Sequence, residues 1–195
     1  MNVQLWKSET GKLFWGFIAL IVFSVITAIL PFVSVDIAAA VLAQHLGVLS
    51  AYTVIVPLIT LCIYVFLFMS ANKLAKGIEG AAGKGFKLIA VSFCLTAVAQ
   101  LIGFIPYAGW ILVGLIGLVT AILMLIGFND IKCDAKLPEI VRGGANMLFI
   151  ASILALVAVV FAFIPAVGGI LGLIISLVAF ILEIIGWVRL QKIVE

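Results

Sequence analysis

Six blocks of about twenty apolar residues, almost free of charge, run through this chain, at roughly 13–33, 50–71, 87–105, 110–128, 147–164 and 169–188. An α-helix rising about 1.5 Å per residue needs that length to cross a hydrocarbon core about 30 Å thick. Backbone N–H and C=O groups find no partner in lipid, so only helices and closed β-barrels span it. A barrel would show short segments alternating apolar and polar side chains, whereas these blocks are apolar on every face. The expected fold is all-α: a polytopic integral membrane protein of six transmembrane helices. Composition agrees, since 67% of the 195 residues are hydrophobic and 10% charged, against about 25% charged in a soluble domain. The first block is too long for the apolar core of a typical signal peptide and no clear small-residue cleavage site follows it, so it is expected to be retained.

The basic residues set the orientation. Lys7 and Lys12 precede the first block; Lys73, Lys76, Lys84 and Lys87 lie between the second and third; Lys132, Lys136 and Arg142 between the fourth and fifth; Arg189 and Lys192 at the end. The first, third and fifth connections carry none. By the positive-inside rule both termini are expected in the cytoplasm. The net charge of +3 is explained by this topology and calls for no nucleic-acid partner. Cys62, Cys94 and Cys133 show no paired spacing, hence neither a disulfide framework nor a zinc site.

Within the apolar blocks the chain repeats itself. Residues 101–132 match 160–191 at thirteen of thirty-two positions, fifty-nine residues apart and without a gap, and the identities include Pro106 with Pro165, Gly109 with Gly168 and Gly127 with Gly186. Apolar composition produces chance matches among Leu, Ile and Val, but it does not bring proline onto proline and glycine onto glycine, so an internal repeat is expected. Proline fixes its own φ, and glycine tolerates the dihedrals that reverse a chain, so the "FIP" segments at Pro106 and Pro165 are expected to be tight hairpin turns. A third, diverged copy places Pro31 in the same role, with sixteen additional residues at 34–49. The expected organisation is one membrane domain, 1–195, of three tandem antiparallel hairpins: 1–72 with an extended outer loop at 34–49, 87–128 and 147–188. Cytoplasmic linkers are expected at 73–86 and 129–146.

Chemistry-bearing residues are scarce. Glu183 is the one acidic residue placed clearly inside a block, and intramembrane carboxyls face a bundle interior, a cavity or a partner; its repeat counterpart is Met124. A structural alternative is snorkelling towards, or pairing with, Arg189. Gln100, opposite Val159 in the repeat, is a second polar candidate or an interhelical hydrogen-bond donor. In the outer insertion Asp36 and His45 are candidate contacts, and 37–46 either forms a short surface helix or is simply a longer loop. Gly109, Gly114, Gly117, Gly168 and Gly172 are expected to let helices approach closely, within the monomer or at an oligomer face. Trp15, Trp110, Trp187 and Tyr107 are assigned to aromatic belts at the membrane surfaces. "GIEGAAGKGF", 77–86, has the wrong spacing for a phosphate loop and no following Ser or Thr, so it is expected to be a flexible linker. The single histidine leaves no catalytic triad, and no cofactor or metal is expected.

The segment "LIGFIPYAGWILVGLIGLVTAILMLIGFNDI" resembles an uncharacterised family of small prokaryotic membrane proteins in which a "GFIPYxGWIL" turn joins two apolar helices. The resemblance implies a hairpin and no particular activity. With abundant packing glycine and almost no mass outside the bilayer, the leading expectation is a non-enzymatic accessory or scaffold protein acting through helix packing. Its partners would be lipid, a second copy of itself or another membrane protein. The alternative is a small channel or carrier for an ion or small solute, with Glu183 and Gln100 lining its path.

Overall fold

The computed structural model describes residues 3–38, 45–103, 105, 108–162 and 168–192. They form six α-helices: α1 (Val3–Ala38), α2 (His45–Gly77), α3 (Ala81–Ile102), α4 (Ala108–Cys133), α5 (Glu139–Ala162) and α6 (Gly168–Gln191). Each contains a stretch long and apolar enough to cross a membrane. Every helix packs its backbone closely on its neighbours in the chain, and α1 does so on α6; other pairs meet only through long side chains among the described residues. The six therefore close into a ring. The contact between α2 and α3 is as much part of that ring as the contacts within the hairpins.

The helices run further towards the basic end than the apolar blocks do. The expected linker at 73–86 shrinks to Ile78–Gly80, and that at 129–146 to Asp134–Pro138, because α2, α3, α4 and α5 carry their basic turns, with Lys73, Lys76, Lys84, Lys87, Lys132 and Arg142, as helix. Gly80 makes the first reversal possible with φ of 97°, a conformation that costs glycine least. It has no side chain to cap α3, and Asp134 does so from the other connection. Its Oδ2 accepts the Ala82 N–H at 2.9 Å, and its Oδ1 accepts that of Lys136 at 3.0 Å. At the start of α5 the Pro138 carbonyl accepts from Val141 and Arg142, both at 3.0 Å. Cys133, expected in a linker, is the last residue of α4.

The outer insertion is also largely helix. α1 continues through Pro31 to Ala38, and α2 begins at His45, so Pro31 does not mark a turn as Pro106 and Pro165 were expected to. Alanine-rich sequence favours helix over open loop, and proline is tolerated in membrane helices. Asp36 thus lies in the last turns of α1 and His45 opens α2; their side chains and residues 39–44 lie outside what is described, as do Pro106 and Pro165.

Dense packing is concentrated at the end of the bundle where the chain starts and finishes. Trp6, Leu13, Leu67, Leu74, Phe86, Ile89, Ile131, Leu148, Trp187 and Leu190 are buried there. Trp6 donates its indole N–H to the Leu190 carbonyl at 2.8 Å, fastening α1 to α6, and stacks edge-on against Phe86 at 5.4 Å. Glu9 is buried beneath it, its Oε1 2.6 Å from Lys12 Nζ and 3.9 Å from Lys73 Nζ. The arm "VQLWKSETGK", 3–12, is therefore helix that contributes to the core, its Trp6 and Thr10 following helical spacing with Leu13 on one face of α1.

Glycines make the closest approaches, at positions other than those expected. A Cβ on Gly127 would stand 2.7 Å from the Gly85 carbonyl, and one on Gly144 would stand 2.8 Å from the Gly186 carbonyl. These two backbone-to-backbone crossings, α3 on α4 and α5 on α6, fall fifty-nine residues apart in register. Gly114 and Gly117 have nothing within 4 Å, so they pack no helix within the monomer, and Gly172 makes ordinary contact, 3.4 Å from the Ala158 carbonyl. Gly109 and Gly168 sit in the first turns of α4 and α6, with surroundings outside what is described. Trp187 is not an interfacial anchor, being 1% exposed, whereas Trp15 is 68% exposed.

Candidate functional site

Where the packed end gives way to the looser half, a cavity of about 270 Å³ opens at the centre of the ring. α1 contributes Leu13, Phe17 and Leu20; α2 Tyr64 and Leu67; α3 Phe93 and Thr96; α4 Thr120, Ala121 and Met124; α6 Glu183 and Trp187. Five of the six helices thus meet on one small volume, and α5 stands behind α4 and α6. Its floor is closed, since Leu13, Leu67 and Trp187 are each at most 1% exposed.

Two aromatic pairs stand on the wall. Phe17 and Trp187 have ring centroids 6.4 Å apart, and Tyr64 and Phe93 are 6.3 Å apart. Trp187 also meets Phe128 edge-on at 6.0 Å, which joins α4 to α6 beneath the cavity. The register that relates the glycine crossings also relates Phe128 to Trp187, so corresponding residues of the two hairpins stack on each other.

The polar groups are few and specifically arranged. Glu183 makes no ion pair among the described residues, so the expected alternative of pairing with Arg189 is not met. Arg189, six residues on, is exposed and lies beside Gly143. Thr96 and Thr120 direct their hydroxyl protons to backbone carbonyls of their own helices, Ser92 at 2.9 Å and Gly117 at 2.8 Å. Their oxygens remain as acceptors. The Trp187 indole N–H is buried without a hydrogen-bond partner.

Gln100 is half-buried one turn beyond Thr96 on α3 and does not reach this wall; the residues that join Glu183 are Tyr64, Thr96, Thr120 and the aromatic pairs. A second hollow, apolar and about 320 Å³, lies on the outside of α1 and α2 and is lined by Trp15, Gly16, Ala19, Cys62, Ile63 and Phe66. The three cysteines are free. Among the described residues no three His, Cys, Asp or Glu stand close enough to hold a metal ion.

No protein-family model, no curated protein and no solved structure matches this chain. The functional reading rests on its own geometry.

Proposed function

We propose that this protein is a small channel or carrier that takes an ion or small solute into the central cavity, with Glu183 as its principal polar contact. The observation that carries the reading is the placement of a carboxyl-bearing side chain, without an ion pair among the described residues, on the wall of a partly open volume shared by five helices. Ionisable groups inside a membrane are costly to keep and mark pathways or binding sites. Gln100 has no part in this reading. The membrane is the cytoplasmic membrane of a prokaryote, with both termini inside, supported by the clustering of every Lys and Arg at one end. The two crossings at Gly85 with Gly127 and Gly144 with Gly186 support descent of the second and third hairpins from one duplicated unit. The reading involves no bond-making step. The test is flux into reconstituted vesicles across a panel of small tracers: Ala121→Phe, which fills the cavity, should abolish it, and equal flux through parent and variant would overturn the reading.

A second reading, an accessory or scaffold protein working through helix packing, is favoured by one observation. Gly114 and Gly117 lie exposed on α4 beside Ile111, Leu115 and Leu118, all exposed, where a second copy or another membrane protein would gain close approach. Subunit counting in bilayers tests it: Gly117→Leu should shift the protein to monomers, and an unchanged distribution would remove it.

A further inference from the structure

We infer that the cavity is selective for a small organic cation, such as a quaternary or substituted ammonium, over a neutral solute, an anion or a hard metal ion. The inference rests on the cavity reading above and adds the chemical class of its occupant.

Among the described residues Glu183 is the one formally charged side chain on the wall, and no Lys, Arg or His accompanies it. An ionised carboxylate there has no cation from the protein, so a ligand that brings one supplies the missing partner. The hydroxyl oxygens of Thr96 and Thr120 present lone pairs rather than protons, because both protons are committed to backbone carbonyls. The surroundings therefore accept hydrogen bonds and attract positive charge, and they repel an anion.

The rest of the wall separates organic from inorganic cations. Ca²⁺ takes six to eight oxygen ligands, and Mg²⁺ demands a strict octahedron of oxygens. The wall offers oxygen from only Tyr64, Thr96, Thr120 and Glu183, on four different helices. It offers instead four aromatic side chains, Phe17, Tyr64, Phe93 and Trp187, whose ring faces attract weakly hydrated cations. The volume of about 270 Å³ lies just below the range of pockets that hold drug-sized ligands, about 300–1,000 Å³, which sets the occupant at one ring or one branched ammonium. The unpartnered Trp187 N–H and the Tyr64 hydroxyl are the donors on the wall, and an oxygen on the same ligand would satisfy either.

Three probes of similar size test this by titration calorimetry on the purified full chain in neutral detergent: phenyltrimethylammonium, benzyl alcohol and benzenesulfonate. Phenyltrimethylammonium should bind saturably and about tenfold or more tightly than either of the others. Glu183→Gln should weaken the cation about tenfold more than it weakens benzyl alcohol. Tyr64→Leu, which keeps the charge and removes a ring face, should cost the cation about three- to tenfold and keeps the inference testable if Glu183→Gln fails to fold. Equal affinity for the cation and benzyl alcohol, tighter binding of the sulfonate, or a cation affinity untouched by both substitutions would overturn the cation inference while leaving a solute cavity in place. Binding of none of the three probes would overturn the cavity reading itself.

Discussion

The two ends of this bundle solve the problem of helix association differently. At the end bearing the termini, α3 crosses α4 and α5 crosses α6 at glycine pairs that bring backbone against backbone, and Trp6, Glu9 and Asp134 tie distant segments together. Towards the hairpin turns, Val22, Val25, Val54, Ile55, Leu58, Leu115, Leu118, Ile174 and Leu177 all face outwards. Lipid tails are as apolar as leucine, so burying such side chains between helices gains little over leaving them in the membrane. Specific hydrogen bonds and close backbone packing supply the association, and among the described residues they are concentrated at one end. The lesson is that the cavity sits at the boundary between these two modes of packing, over a floor of buried Leu13, Leu67 and Trp187.

Substitutions can break that contrast. The largest effect is expected from Gly85→Leu or Gly144→Leu, which drive a side chain into a neighbouring backbone; overpacking costs about 1–3 kcal/mol or more, and the folded fraction in detergent, followed by thermal unfolding, should fall steeply. Asp134→Ala removes the only side-chain acceptor capping α3 among the described residues and should cost about 1–2 kcal/mol, measured by the same melt. Trp6→Phe keeps the ring but leaves the Leu190 carbonyl without its donor, for a loss of about 1 kcal/mol. Gly114→Leu, on the outward face, should change monomer stability by about 0.5 kcal/mol or less. A loss as large as that at Gly85 would show that α4 is covered by a partner and would sharpen the scaffold reading at the expense of the contrast.

Much of this architecture is legible in the residues. Block length and the one-sided lysines point to six helices with antiparallel neighbours, because hydropathy acts through composition and survives sequence variation. Glu183 stands out for the same reason, as a carboxyl where lipid tolerates few. Its companions do not stand out. Tyr64, Phe93, Thr96 and Thr120 sit in helices that are apolar all round, so no periodicity marks which face turns inwards, and only packing reveals that they share a wall with Glu183. The glycines mislead for the same reason: Gly114 and Gly117 look like packing sites as much as Gly85 and Gly144 do, and rotation of the helix decides between them. Helix ends are not legible from hydropathy, because lysine-bearing turns lower it while continuing the helix, and Trp6 lies in such a turn.

The fastening of Trp6 to Leu190 has a consequence for biogenesis. Membrane helices emerge from the ribosome in order, and each of α2 to α6 finds its ring neighbour already in place when it arrives. α1 is the exception. Its indole remains without its acceptor, and the cavity lacks both Glu183 and its Trp187 floor, until α6 has been made. The site is therefore assembled last, by the same event that closes the ring.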